Sequence, residues 1–218
     1  MSTSSLQALI VDFYGVLTDG IDTAMQAWTA DDGIEYSHFR NAMADWFGES
    51  GVMAATFNPV HALERGELEV PDFERHLAQR LRLQDGGAVV AEGLVDRMFS
   101  RFSHAPDMAG LVRRAHDAGL RTALLSNSWG DRYLRSGWED MFDAVVISGE
   151  VGMRKPERRI FDYTLRQLSV SPQEAVFVDD HERNVLAAAE CGIFGVLHEE
   201  YQRTAGELEV LFGIPLAS

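Results

Sequence analysis

Cysteine is nearly absent from this chain of 218 residues, which contains only Cys191. An internal disulfide and a zinc site built from cysteines are therefore both excluded. Long apolar runs are also missing, since none approaches the ~20 residues of a membrane-spanning helix. The start, MSTSSLQALIVDF, has no basic region followed by an apolar stretch and a cleavage site, so residues 6–13 are predicted to form a strand and not a signal peptide. We expect a cytoplasmic protein that does not contact a membrane.

Basic residues are scarce beside acidic ones. The chain has 19 Lys and Arg against 34 Asp and Glu, which gives a formal charge of −15. A nucleic-acid backbone would be repelled by this charge unless a basic patch offset it, and the densest basic clusters, at 113–114 and 154–159, are short. We therefore expect no nucleic-acid partner. Apolar residues make up 46% of the chain, as in ordinary globular proteins.

The second half of the chain alternates between strand and helix patterns. Short apolar runs predict strands at 121–125, 144–147, 175–178 and 194–197. Helical spacing of apolar residues fills the intervals, at 111–118, 156–168, 184–190 and 205–212. Such alternation implies right-handed crossovers and a parallel sheet covered on both faces. The sequence thus predicts an α/β fold.

Residues 20–100 follow a different pattern, in which strand signals are sparse and helical stretches recur. These stretches lie at 24–28, 36–47, 60–67, 73–83 and 89–102. We predict an all-helical insert between the first strand and the rest of the sheet. The predicted division is a core of residues 1–18 and 101–218, with residues 19–100 as a helical cap.

Polar side chains follow several of the predicted strands. Asp12 follows the first, Ser126 the second, and the pair Asp179-Asp180 the fourth, while Lys155 lies in the loop VGMRKPE. In a parallel sheet the carboxyl ends of the strands meet at one edge, where sites form. Taken singly, each residue has a simpler explanation: Asp12 or Asp180 could cap a turn or helix, and Lys155 could be a solvated lysine.

Taken together, these residues predict phosphoryl transfer to water. Carboxylates that face one another repel unless a cation offsets the charge, and Mg²⁺ prefers such oxygen ligands. One carboxylate can attack phosphorus to form an aspartyl-phosphate. Ser126 and Lys155 would hold the oxygens of the transferred group and neutralise their charge.

Four segments carry a family resemblance: VDFYGVLTD, LLSNS, SGEVGMRKPERRIF and VFVDDHERNVLAAAECG. In this order they resemble the four motifs of the haloacid dehalogenase-like (HAD) hydrolase superfamily, in the subfamily IA-like branch that has a helical cap after the first motif. The resemblance covers essentially the whole chain. It implies a Rossmann-like, doubly wound core and a cap that determines the substrate.

The resemblance also implies roles for individual residues. Asp12 would be the nucleophile, Ser126 and Asn127 would bind phosphoryl oxygens, and Lys155 would stabilise the nucleophile and the intermediate. Mg²⁺ would be held by four groups: the Asp12 carboxylate, the Tyr14 backbone carbonyl, Asp180, and Asp179 through water. Trp129 follows the second motif and is expected to face the substrate. The expected partner is a small phosphorylated molecule, and the expected assembly is a monomer or homodimer.

Tyr14 departs from the family pattern, in which phosphatases carry a second aspartate at this position. That carboxylate protonates the leaving oxygen and then deprotonates the attacking water. A phenol with an ordinary pKa of ~10 is a poor base near neutrality, and acid–base help is worth ~10²- to 10⁴-fold in rate. A phosphatase with Tyr14 would be slow, or would take a proton donor from the cap, where His38, Glu35, Asp31 and Asp32 are available.

Two other functions remain open. Tyrosine at this position is typical of the superfamily's dehalogenases, which displace halide from carbon. However, those enzymes use no metal, have a serine- and asparagine-bearing fourth motif, and carry an arginine soon after the first motif, whereas here none precedes Arg40. We give the pair Asp179-Asp180 more weight, because adjacent carboxylates need a cation. The third reading is a catalytically weakened member that binds a ligand.

Overall fold

A parallel β-sheet lies at the centre of the structure, which is a computed structural model and describes residues 5–47, 57–133 and 135–217. The strands are β1 (Ala8–Val11), β2 (Arg121–Ser126), β3 (Ala144–Ile147), β4 (Ala175–Asp179) and β5 (Phe194–Leu197). They run in the order β3-β2-β1-β4-β5, and every neighbouring pair is parallel. The predicted α/β class and the Rossmann-like, doubly wound sheet are confirmed.

Helices account for most of the remaining chain. Those before β2 are α1 (Ile21–Asp31), α2 (Tyr36–Phe47), α3 (Pro59–Glu64), α4 (Val70–Arg80), α5 (Leu94–Phe99) and α6 (Pro106–Asp117). Those after β3 are α7 (Ser148–Val151), α8 (Arg158–Leu168), α9 (Glu182–Glu190) and α10 (Tyr201–Phe212). Within the described residues, no helix is long and apolar enough to cross a membrane.

Both faces of the sheet are covered. Along β1, Leu9 and Val11 pack into one core with α6 and α10, whereas Ala8 and Ile10 pack into a second core with α8 and α9. All four side chains are fully buried. Since successive side chains in a strand point to opposite faces, an unbroken apolar run is what a strand buried on both sides requires.

The inserted helices α1–α5 lie between β1 and β2 and pack around an apolar cluster of their own. Trp28, Phe73 and Leu77 belong to this cluster and are fully buried. The predicted helical insert is thus present. Its predicted limits at residues 19 and 100 stay a prediction, and residues 1–4 and 48–56 of the predicted units lie outside the described residues.

Several element ends differ from the sequence prediction. The helix predicted at 89–102 runs only from Leu94 to Phe99. Its late start follows from Gly93, which adopts a left-handed φ of 69°, and residues 88–91 before it have no regular structure. The helix predicted at 60–67 ends at Glu64, since Gly66 has a φ of 70°. Glycine takes this conformation readily, and it ends a helix.

Candidate active site

The strand order brings residues of three motifs to one edge of the sheet. Asp12 directly follows β1, Ser126 ends β2, and Asp179 ends β4. Because β1 lies between β2 and β4, Asp12 lies between the ends of those two strands. The backbone N–H of Asp12 donates to the Val178 carbonyl at 2.9 Å, which extends the β1–β4 pairing by one residue. The three motifs therefore meet where the sequence predicted.

The side chain of Lys155 joins two of these carboxylates. Its Nζ lies 2.8 Å from Asp12 Oδ1 and 2.6 Å from Asp179 Oδ2, and the side chain is 1% exposed. Burial acts to lower the pKa of Lys155, but the two carboxylates raise it above its ordinary value. The ammonium group therefore stays charged and offsets part of the negative charge of the site.

Asp12 needs more positive charge than Lys155 supplies. Burial raises the pKa of the Asp12 carboxyl to about 8 against the opposing effect of Lys155, and the charges of Asp179 and Asp180 add to the increase. A carboxylate nucleophile must be deprotonated, so a further cation beside Asp12 would bring it into its reactive form at neutral pH.

The surrounding oxygen atoms fit a magnesium ion. Ligand atoms of Asp179, Asp180 and His181 lie within 4.8 Å of one another. Among the described residues, no backbone N–H donates to the Tyr14 carbonyl, which leaves that oxygen free to coordinate. Carboxylates and a backbone carbonyl are the hard donors that Mg²⁺ prefers. The predicted set of Asp12, Tyr14, Asp179 and Asp180 thus offers suitable chemistry.

The carboxylate that ends β4, Asp179, and the one that follows it, Asp180, are held differently. Asp179 Oδ2 accepts from Lys155, and its Oδ1 accepts from the His181 backbone N–H at 2.8 Å. Asp180 lies against Gly15, where a β-carbon would stand 2.2 Å from Asp180 Oδ2; Gly15 also has a φ of +81°. Both facts require glycine at position 15. Both oxygens of Asp179 accept hydrogen bonds, whereas Asp180 Oδ1 lies 2.9 Å from His181 Nδ1 and its Oδ2 accepts none among the described residues. That Asp180 binds the metal directly and Asp179 through water stays a prediction.

Ser126 ends β2 and Asn127 follows it, but their side chains differ in surroundings. The Ser126 hydroxyl is fully buried and lies 2.8 Å from the Tyr133 hydroxyl. The Asn127 side chain donates to the Lys155 carbonyl at 3.1 Å and accepts from the Lys155 N–H at 2.8 Å. Asn127 therefore fixes the loop that carries Lys155. Their binding of phosphoryl oxygens stays a prediction.

Tyr14 is packed in an aromatic cluster. Its ring centroid lies 4.9 Å from that of Phe99 and 5.0 Å from that of Phe102, and Phe13 contacts it edge-on at 4.9 Å. Burial raises the pKa of Tyr14 above its ordinary value, and Arg132 opposes the increase. The phenol therefore keeps its proton at neutral pH and does not act as a base.

A cavity of about 590 Å³ opens above Asp12 between the sheet edge and the inserted helices. Asp12, Asn127 and Lys155 line its floor, and Tyr14 and Trp129 line it as well. Trp129 is partly buried against the apolar cluster of the insert. The expectation that Trp129 faces the site thus agrees with its position, whereas Ser126, Asp179 and Asp180 are not among the cavity-lining residues.

The acids considered as replacements for the missing aspartate do not line this cavity. Asp31 and Asp32 form ion pairs with nearby arginines, and neither Glu35 nor His38 belongs to the lining. The cavity instead contains Asp22, which lies in the first turn of α1 and forms no ion pair among the described residues. Nothing in the local sequence separates Asp22 from the other acids of the insert.

The structure also contains a buried ion pair that the sequence does not predict. Glu64, the last residue of α3, pairs with the Arg154 guanidinium, and both side chains are buried. Ninety positions separate the two charges in the chain, so no local pattern links them. Asn184, which donates to Asp179 at 3.0 Å, could have been found from its place in the first turn of the helix after Asp179-Asp180.

Comparisons with known proteins agree with this geometry. The sequence profile of the haloacid dehalogenase-like hydrolase family matches residues 6–192. A sesquiterpene phosphatase of Aspergillus oryzae is 30% identical over 157 residues, which cover 69% of this chain and 77% of that protein. Acyl-CoA dehydrogenase family member 10 of Mus musculus is 36% identical over 115 residues, or 51% of this chain and only 11% of that much longer protein.

Solved structures show the same fold. A HAD family enzyme of Bacteroides thetaiotaomicron, crystallised with magnesium and inorganic phosphate, superposes with a TM-score of 0.63 at 20% identity. The match covers 92% of this chain and 99% of that one. The likeness therefore extends through the sheet and the inserted helices alike.

Proposed function

Because the chain belongs to the haloacid dehalogenase-like hydrolase family, we propose that it hydrolyses a small phosphorylated metabolite through an aspartyl-phosphate on Asp12. The observation that carries this proposal is the Lys155 ammonium group held between Asp12 and Asp179, 2.8 Å and 2.6 Å away. A carboxylate bound in this way is fixed in one orientation beneath the cavity. The phosphatase activity in the name of the Aspergillus oryzae relative supports the same reaction class.

In the first step an oxygen of the Asp12 carboxylate attacks phosphorus. The new O–P bond forms as the bond between phosphorus and the ester oxygen breaks, and the electron pair leaves with that oxygen, which takes a proton from water. Lys155 and Ser126 would stabilise the negative charge on the phosphoryl oxygens. Asn127 would hold the Lys155 loop in place through its two hydrogen bonds to the backbone.

In the second step water attacks the same phosphorus, the Asp12 carboxylate leaves, and inorganic phosphate is released. The attacking water must lose a proton, and Tyr14, whose pKa lies above its ordinary value, does not accept one. We assign this proton transfer to Asp22, which lines the cavity together with Asp12. Asp22 is an exposed carboxylate on the inserted helix α1 and is a less effective base than a carboxylate held in place beside Asp12. We therefore expect the second step to be slow.

Magnesium is the proposed cofactor. Asp12, Asp180 and the Tyr14 carbonyl would hold the ion directly, with Asp179 acting through water. When bound, the ion would offset the charge of the carboxylates and of the phosphoryl group. The Bacteroides thetaiotaomicron enzyme, which shares the fold, was crystallised with magnesium and phosphate.

The aromatic surroundings of Tyr14 favour one alternative, a 2-haloacid dehalogenase-like reaction. There, Asp12 would attack carbon and form an ester while halide leaves with the electron pair, so no oxygen leaving group would need a proton. Against it stand the adjacent carboxylates Asp179 and Asp180, which need a cation in either reaction. A weakened, ligand-binding member of the family would show neither reaction.

A substrate panel tests the proposal. Phosphate esters and 2-haloacids are incubated with the wild type, Asp12→Asn and Tyr14→Asp, each with Mg²⁺ and with chelator. We expect Mg²⁺-dependent phosphate release that disappears in Asp12→Asn and rises ~10²-fold or more in Tyr14→Asp, because acid–base help is typically worth ~10²- to 10⁴-fold. Halide release that persists in chelator would show the alternative instead, and binding without turnover would show the third reading.

The role of Asp22 is tested by a double-mutant cycle. Asp22→Asn should lower kcat about 10- to 100-fold in the wild type, because the second step loses its base. In a Tyr14→Asp background, where a carboxylate lies beside Asp12, the same change should cost much less. Equal losses in both backgrounds would show that Asp22 does not transfer the proton, and KM is followed to separate this effect from substrate binding.

A further inference from the structure

The walls of the cavity above Asp12 are apolar. Three inserted helices, α1, α2 and α5, and the turn after α5 supply the wall side chains. They include Met25, Phe39, Met43, Met98, Phe99 and Phe102. Tyr14 completes this surface, since its ring lies about 5 Å from the rings of Phe99 and Phe102. Thioether and aromatic side chains together give an adaptable apolar surface.

Few polar groups line the cavity outside its floor: the insert contributes the exposed Asp22 and Arg40, the Tyr36 hydroxyl and the paired Glu64. The floor holds Asp12 and Lys155, whereas Arg40 and Arg183 are exposed. Arg154 is buried, but its charge is paired with Glu64. Among the described lining residues, the insert contributes no serine, threonine, asparagine, glutamine or histidine.

This distribution disfavours a polyhydroxylated substrate in the described part of the cavity. Hydroxyl groups of a sugar or glycerol phosphate would lose their hydrogen bonds to water on entry, and the mostly apolar walls would replace few of them. An apolar group would gain free energy from the same transfer. The volume of about 590 Å³ lies within the range of pockets for small organic ligands.

We infer that the substrate is the phosphate monoester of an apolar alcohol or phenol, with its phosphate on Asp12 and its organic group between the apolar walls. This inference rests on the proposed phosphatase function and adds the class of the organic group. Specificity then comes from the side chains of the insert, and the charged floor makes no distinction between esters.

The test compares esters that differ in polarity and not in leaving-group acidity. 2-Naphthyl phosphate and 4-carboxyphenyl phosphate release phenols of similar acidity, and hexyl phosphate and glycerol phosphate form the aliphatic pair. For each pair we expect kcat/KM to favour the apolar ester by about 10-fold or more. Asp12-dependent hydrolysis with equal or opposite preference overturns this inference and leaves the proposed function standing. Loss of Asp12 dependence for every ester overturns the proposed function itself.

A variant pair locates the preference in the cavity. Met43→Gln keeps the length of a lining side chain on α2 but makes it polar. As the control, Leu186→Gln makes the same kind of change at an exposed position of α9, outside the cavity. Met43→Gln should lower kcat/KM for 2-naphthyl phosphate about 5- to 10-fold while 4-carboxyphenyl phosphate changes less than about 2-fold. Leu186→Gln should change neither. A uniform change in Met43→Gln overturns the assignment of this wall.

Binding to Asp12→Asn gives a second measurement that does not depend on turnover. With Mg²⁺ present, calorimetry should detect tighter binding of 2-naphthyl phosphate than of 4-carboxyphenyl phosphate. Equal affinities would overturn the inference even if the wild type were too slow to assay.

Discussion

At the scale of single residues, Tyr14 connects the first motif to the inserted helices. Its backbone carbonyl is a proposed ligand of the metal, while its ring packs against Phe99 and Phe102. An aspartate there would face the same aromatic side chains at a cost in burial. Tyr14 therefore adds an aromatic ring to the cavity wall but supplies no carboxylate. For this reason we assign the role of the base to Asp22.

His61 is a residue whose protonation links the stability of the fold to pH. Its Nε2 is buried and has no hydrogen-bond partner among the described residues. Burial, together with the charges of the nearby Arg154 and Arg65, lowers the pKa of His61 to about 4. The folded protein thus binds fewer protons than the unfolded chain between about pH 4 and 6.5, so His61 makes stability fall as the pH drops through this window.

We predict that His61→Gln flattens this part of the stability profile. Urea unfolding at pH 7.5, 6.0 and 5.0 should give the wild type a steeper loss than the variant, by less than the ~1.4 kcal/mol per pH unit of one fully linked proton, because His61 is only half-buried. Values are normalised to pH 7.5, where the imidazole is neutral in both states. Parallel profiles for the two proteins would show that His61 titrates alike in both states.

At the scale of elements, α3 is the part of the insert that docks on the loop before Lys155. Glu64 pairs with buried Arg154, and Arg65 lies 2.9 Å from Glu157. The backbones also come close, since a β-carbon at Gly66 would stand 2.7 Å from the Gly149 carbonyl oxygen. These contacts hold the insert directly above the catalytic loop.

We predict that Glu64→Gln lowers the free energy of unfolding by about 3–5 kcal/mol, because Arg154 is left buried without its partner charge. The double variant Glu64→Leu/Arg154→Met should be markedly less destabilised, since both buried charges are then removed. Denaturant unfolding monitored by tryptophan fluorescence checks both.

Asp45→Asn serves as the matched control. It removes the partner of Arg80 in an exposed ion pair of the same insert, at 3.0 Å, and should cost less than about 1 kcal/mol. If Glu64→Gln costs no more than this control, the buried pair does not fasten α3 to the core.

Local patterns in the sequence predict the strands and the residues at their ends, but not the contacts made by tertiary packing. The strands and the positions of Asp12, Lys155 and Asp179 were predictable, because apolar runs ending in polar residues form a local pattern. The pairing of Glu64 with Arg154 was not, since tertiary packing alone brings those residues together. The start of α5 was misjudged because Gly93 interrupts an apolar run whose spacing looked helical.

At the scale of the whole molecule, the catalytic edge of the sheet and the apolar insert have separate cores. The sheet packs around Leu9 and Ile10 and the insert around Trp28, and the cavity lies between the two. In the proposed function the floor would carry out the phosphoryl chemistry while the walls would select the organic group. The proposed reaction therefore rests on residues at the edge of the sheet, and the proposed substrate class rests on residues of the inserted helices.

The central claim, a phosphoryl group on Asp12, is tested most directly by mass spectrometry after rapid acid quenching. Wild type mixed with Mg²⁺ and 2-naphthyl phosphate should show a phosphoryl adduct on the peptide that contains Asp12, and the slow second step should let this adduct accumulate. Asp12→Asn and chelated samples should show none. Release of phosphate at the same rate by wild type and Asp12→Asn, with no adduct on this peptide, would contradict the account.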